Sequence, residues 1–175
     1  LPYKAYHGVE HEKCTVISLG PSSELNHSLY KELLGVSCHE LYHTWNIKAI
    51  RPQEMYPYAF DRENYSRLGY VAEGVTTYFG DQYLHRSNVF SDTAYYHELS
   101  QLVQRHMDNP GRKNLSVAES SFDTWLDGYT PGIPWRKVSI YNEGALCALI
   151  CDIKILKETH GSKNLDEVIK RLYWE

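Results

Sequence analysis

The chain has 175 residues, 42% of them hydrophobic and 23% charged, with a formal net charge of −4, which suits one domain with a real core. The slight acidic excess gives no electrostatic case for nucleic acid or an anionic membrane surface as a partner. No apolar run approaches the ~18 residues that a membrane span needs.

Residues 1–20 read as extended. Cys14-Thr15-Val16-Ile17-Ser18 is rich in β-branched residues, and Gly20-Pro21 closes the segment. Residues 21–27 form a loop. A helix is expected to start near Asn26 or Ser28, both good N-caps. It carries Leu29, Leu33, Val36, Leu41 and Trp45 on its apolar side and must stop before Arg51-Pro52. Residues 51–65 hold Pro52, Pro57 and Asn64 and form a second loop. A long helix follows over 66–86, with Leu68, Val71, Ala72, Val75 and Phe79 on its apolar side. Gly69, Gly74 and Gly80 lie within it, each costing up to about 1 kcal/mol against Ala unless something packs close.

A third helix runs from Ser91 to about Asp108, ended by Asn109-Pro110-Gly111. The capping box Ser116-Val117-Ala118-Glu119 starts a fourth, which ends near Gly128, and residues 128–136 are a loop. A fifth, over 142–159, is nearly apolar in its first half and so is expected to be central, with Gly161 as its C′ residue. Asn164-x-x-Glu167 starts the last. The expected architecture is mainly α (α+β): a short N-terminal β edge and about six helices in one domain spanning 1–175. The four cysteines make no C-x-x-C pair, which excludes a zinc ribbon or redox motif. Cys147 and Cys151, four apart, read as small buried hydrophobes.

The chemistry is concentrated in the first long helix, at His39-Glu40-Leu41-Tyr42-His43. In a helix His39 and His43 project from one face one turn apart, and two imidazoles so placed can hold one zinc ion. Glu40 then lies beside the metal without binding it, where a general base belongs. A catalytic zinc usually takes a third protein ligand. Glu54, Glu63 and Glu73 are candidates. Glu54 and Glu63 fall in the Pro-rich loop, whereas Glu73 falls inside a helix, followed by Gly74, and is better positioned. Thr77, one turn beyond Glu73, is placed either to support a ligand or to sit on solvated helix surface.

The run His39-Glu40-Leu41-Tyr42-His43-Thr44-Trp45-Asn46-Ile47-Lys48-x-Ile50-Arg51-Pro52 resembles the signature of the glycyl aminopeptidase family, which belongs to the gluzincin metallopeptidases. The resemblance continues through Phe60-Asp61-x-x-Asn64-Tyr65-x-Arg67-Leu68, Glu73-Gly74-Val75-Thr76-Thr77-Tyr78 and Val138-Ser139-Ile140-Tyr141-Asn142-Glu143-Gly144-Ala145-Leu146, and includes Gly8-Val9-Glu10-His11. It implies a thermolysin-like gluzincin catalytic domain binding one Zn2+ per chain, with His39, His43 and Glu73 as ligands and Glu40 as base. It implies that Tyr141 stabilises the oxyanion and that Gly8 and Glu10 line the substrate cleft, with Glu10 pairing a free α-amine. The expected partners are a peptide with a free N-terminus and, in a longer protein, a β-rich domain before this region and a PDZ-like domain after it.

Three positions depart from the family pattern: Val9, Ala49 and Glu143, where a Lys usually follows the catalytic tyrosine. The expected activity is removal of small N-terminal residues such as Gly or Ala. The alternatives are a zinc endopeptidase of the same fold and a non-catalytic, zinc-stabilised peptide-binding domain.

Overall fold

The computed structural model describes residues 2–127 and 132–175; part of the expected 128–136 loop therefore lies outside the described residues. An antiparallel hairpin opens the chain, β1 (His7–Glu10) pairing β2 (Thr15–Ser18) with His7 opposite Ser18. Seven α-helices follow among the described residues: α1 (Tyr30–Tyr42), α2 (Val75–Arg86), α3 (Asp92–Asp108), α4 (Val117–Phe122), α5 (Thr124–Asp127), α6 (Ile140–Glu158) and α7 (Leu165–Trp174). The mainly-α expectation with a short β edge is borne out. The hairpin packs on α1 through Leu19, Leu29 and Val36. The main core lies where α1, α2, α3, α6 and α7 meet, around Tyr42, Tyr78, Phe79, Leu102, Ala145, Ala148 and Leu165. Tyr42 and Phe79 stack there with ring centroids 5.0 Å apart.

Several boundaries differ from expectation, each for a local reason. Neither Asn26 nor Ser28 caps α1. Ser28 Oγ instead donates to Glu24 Oε2 at 2.5 Å, and the helix starts after the buried Leu29. It ends at Tyr42, well before Arg51, because the chain tightens into turns over 43–46 and reverses at Ile47, a β-branched residue at φ 107°. The helix expected over 66–86 begins at Tyr70 with a π-helical turn, Tyr70–Gly74, and becomes α-helical only at Val75. The fourth helix divides at Asp123, whose carboxylate pairs with Arg136.

α6 starts two residues early because the Ser139 hydroxyl accepts from the Asn142 N–H at 3.3 Å. It is not wholly central. Ala145 and Ala148 are buried, while Ile150, Ile153 and Cys151 are exposed and Cys147 is half-buried, so the buried-cysteine expectation fails. At its end His160, not Gly161, takes the C′ position at φ 52°. Gly161 follows at φ 78°, its N–H donating to Leu156 O at 2.7 Å. Asn164 makes no side-chain cap; the Asp152 carboxylate from α6 accepts the Leu165 N–H at 2.7 Å instead.

α6 meets the π-helical turn backbone to backbone. A Cβ on Gly74 would lie 2.3 Å from Gly144 Cα, and one on Gly144 would lie 2.3 Å from Tyr70 O. Gly35, inside α1, has nothing within 4 Å of such a Cβ. Gly144→Ala should therefore destabilise the protein by about 3 kcal/mol or more, as overpacking against backbone. Gly35→Ala should stabilise it by about 0.4–1 kcal/mol. Urea unfolding of the two variants beside the parent checks the contrast.

Candidate metal centre

His39 and Glu40 lie in the last turn of α1. His43, the next residue but three, keeps right-handed helical angles (φ −59°, ψ −17°), so the one-turn spacing survives the end of the helix. The two Nε2 atoms are 3.1 Å apart. Glu73, from the π-helical turn, brings Oε2 to 3.2 Å from His39 Nε2 and 3.3 Å from His43 Nε2. The crossing of α2 over α1 that allows this is close: a Cβ on Gly80 would lie 3.4 Å from the His39 backbone N. Of the three candidate carboxylates, only Glu73 reaches the histidines. Glu54 accepts from Ser66 Oγ and Arg67 N, and Glu63 is exposed.

The hydrogen bonds around the rings set their tautomers. His43 Nδ1 is 3.0 Å from Asn46 O, which can only accept, so Nδ1 carries the proton and Nε2 presents its lone pair. Thr77 Oγ1 donates to Glu73 O at 2.9 Å, leaving its lone pair for His39 Nδ1 at 3.4 Å. His39 Nε2 then also presents a lone pair. Three acceptors so close together repel one another unless positive charge lies between them, and the three residues could hold a metal ion. Donor atoms on a tetrahedral zinc at roughly 2.0–2.1 Å stand about 3.3 Å apart, which matches the observed edges. Without a metal, a proton serves. Burial lowers the His43 pKa, but hydrogen bonding and charge from Glu73 outweigh it and raise it. Burial raises Glu73, and its hydrogen bonds to His39 and His43 hold it down at about 2.

Glu40 is buried, and its Oε2 has no hydrogen-bond partner among the described residues. Burial pushes its pKa up; the two imidazoles oppose this, and Glu10 and Glu73 add to it. β1 passes directly over this carboxylate. A Cβ on Gly8 would lie 2.2 Å from Glu40 Oε1, so Gly8 makes room for the base. Glu10 lies two residues along the same strand, and Glu10, Glu40 and His43 offer ligand atoms within 4.8 Å of one another. Lys48 Nζ sits 3.5 Å from Glu10 Oε1. Tyr141, in the first turn of α6, places its ring centroid 6.0 Å from that of His39. Glu143, the departure beside it, turns toward α3, its Oε2 2.7 Å from His106 Nδ1.

Sequence reasoning missed Asn46 and Lys48 as contributors. Asn46 is 3% exposed. Its carbonyl orients His43, while its Nδ2 donates to Val71 O at 2.9 Å, Ala72 O at 3.0 Å and Thr76 Oγ1 at 3.0 Å. It ties the histidine to the turn that carries Glu73. The available signal was an Asn directly after an aromatic at the end of a buried helix, a residue type that must find partners when enclosed.

Similarity to known proteins agrees with this geometry. The fold matches the crystal structure of an aminopeptidase N family protein from Idiomarina loihiensis over 97% of this chain, with TM-score 0.85 and 30% identity. This chain spans 30% of the length of that protein. No curated protein matches the chain. The fold is thus that of a peptidase family. The chain belongs to the M61 glycyl aminopeptidase family, whose model matches residues 32–147, a range that includes His39, Glu40, His43, Glu73 and Tyr141 but not Gly8 or Glu10.

Asn46→Ala keeps the main-chain carbonyl that meets His43 but removes the Nδ2 bonds to the turn that carries Glu73, and should weaken the affinity for an added divalent metal by about 10–100-fold. Competition with a chromogenic chelator, on full-length protein, measures this directly.

Proposed function

We propose that this domain is the catalytic part of a zinc-dependent aminopeptidase that removes small N-terminal residues such as Gly or Ala. The observation that carries the reading is the triangle of His39 Nε2, His43 Nε2 and Glu73 Oε2 with edges of 3.1–3.3 Å, beside a buried, unpartnered carboxylate at Glu40. His39, His43 and Glu73 would hold one Zn2+ per chain; when bound, the metal supplies Lewis-acid polarisation of water and of the scissile carbonyl.

The remaining work falls to this chain's own residues. Glu40 takes a proton from the attacking water and passes it to the departing amine. Its Oε2 has no hydrogen-bond partner among the described residues and burial raises its affinity for a proton, which supports its use as a base. The Tyr141 hydroxyl donates one hydrogen bond to the oxygen that gains negative charge, and a neutral phenol does so without adding charge to the site. Glu10 pairs the substrate's α-ammonium, and the β1 edge offers main-chain hydrogen bonds to an extended peptide. Flanking β-rich and PDZ-like domains would complete the cleft in the longer protein. No helix among the described residues is long and apolar enough to cross a membrane.

One observation favours a second reading, a zinc endopeptidase of the same fold. Lys48 already neutralises Glu10, and a Glu10 so occupied does not demand a free amine from the substrate. Glu40→Gln in the full-length protein should abolish turnover while one zinc per chain is retained by metal analysis. Tyr141→Phe should lower kcat by about 10²-fold or more; undiminished turnover in either variant removes that residue from the mechanism. N-acetylated peptides should resist cleavage if Glu10 reads the amine. Cleavage of free and blocked peptides at equal rates assigns the domain to the endopeptidase reading.

A further inference from the structure

Among the described residues, Lys48 is the one basic side chain paired with Glu10, its Nζ 3.5 Å from Oε1. Glu10 belongs to β1 and Lys48 to the turns after α1. The pair therefore joins two segments beside Glu40 and His43, whose ligand atoms lie within 4.8 Å of that of Glu10. The ε-ammonium of a lysine carries the same charge and the same N–H donors as the α-ammonium of a peptide. Two such cations at one carboxylate share a single negative charge and repel each other, so each weakens the hold on the other.

The main chain of Lys48 is fixed, and the end of its side chain is not. Its N–H donates to His43 O at 3.1 Å. The preceding Ile47 is held at φ 107°, where a β-branched residue is an outlier. Its N–H donates to Ile50 O at 2.9 Å, and its carbonyl accepts from Arg51 Nε at 3.1 Å. Such strain persists only where the surroundings over-determine it. Here the strained residue separates Asn46, whose carbonyl meets His43, from Lys48.

The ion pair itself is loose. At 3.5 Å it is longer than an N–H···O hydrogen bond, and the Lys48 and Glu10 side chains are 28% and 30% exposed. A pair of that kind contributes little and can be exchanged for another cation. The turn thus keeps a replaceable ammonium at Glu10.

We propose that Lys48 is a specificity-determining residue. Its ammonium occupies Glu10 in the resting site and competes there with the α-ammonium of a peptide, so it limits how far a free N-terminus is favoured over a blocked one. This rests on the peptidase reading, with Glu10 as the group that meets the amine.

The test is calorimetric binding of Gly-Ala-Ala and N-acetyl-Gly-Ala-Ala to zinc-loaded, full-length Glu40→Gln protein. The readout is the ratio of Kd for the blocked peptide to Kd for the free one. Lys48→Met should raise this ratio by roughly fivefold, the scale of one solvent-accessible ion pair, by tightening the free peptide alone. Met keeps the apolar stem, and the main-chain bonds that fix position 48 need no ammonium. Lys48→Arg should return the ratio to that of the parent. In a Glu10→Gln background, Lys48→Met should leave the ratio unchanged. A ratio that stays constant or falls in Lys48→Met overturns the proposal, as does a fivefold rise that persists without Glu10. A raised ratio with no cleavage by the parent protein defeats the peptidase reading and keeps Lys48 as the competitor at Glu10. Cleavage of free peptides with an unchanged ratio defeats the role of Lys48 alone.

Discussion

Two glycines in backbone contact set the spacing on which the site depends. Gly74 ends the π-helical turn that carries Glu73, and Gly144 lies three residues beyond Tyr141 on α6. A methyl group on either would collide with main-chain atoms at 2.3 Å, where no rotamer change can relieve the clash. The carboxylate at the histidines and the phenol beside them are therefore positioned by one contact. The helical propensity lost at these two glycines, up to about 1 kcal/mol each, is offset by the packing that their absence of side chains permits. Gly8 repeats the device where β1 passes over Glu40, and Gly80 does so more loosely where α2 crosses His39.

Around this frame the polar groups obey a simple electrostatic rule. Each imidazole spends its outer nitrogen on a neutral acceptor, Asn46 O or Thr77 Oγ1, so that both inner nitrogens face the Glu73 carboxylate as lone pairs. Such convergence is unfavourable unless positive charge lies among the three atoms. The depressed Glu73 pKa and the raised His43 pKa are both responses to that demand. Glu40 sits just outside this compensation, enclosed and with Oε2 lacking a partner among the described residues, where burial raises its affinity for a proton.

Much of this was legible in the chain. The His39/His43 spacing, the acidic residue between them and Gly74 after Glu73 all carry their meaning locally, because helical periodicity decides which side chains share a face. The capping box at Ser116, the hydrophobic pattern and the breakers placed α3, α4 and α6 to within a few residues. What was not legible depended on partners distant in sequence. Asn46, in the turns that follow α1, binds carbonyls 25 and 26 residues away. Asp152 replaces Asn164 as the cap of α7, and Lys48 reaches Glu10 across the cleft. Cys151 is exposed because α6 buries only one of its faces, which an almost uniformly apolar stretch does not announce.

The π-helical turn has a consequence for how this site can change over time. Such a turn holds one residue more than an α-helix needs, and its main-chain groups fall out of step with their usual partners. Here Asn46 Nδ2 occupies the carbonyls of Val71 and Ala72, so the surplus residue is absorbed before Val75. Tyr78 and Phe79 keep their phase in the core whatever precedes them. Upstream of Val75, the loss or gain of one amino acid would rotate what the helix aims at the histidines and would also move Gly74 off Gly144. Inheritance can thus rewrite the third vertex of the triangle only by rebuilding that close contact with it.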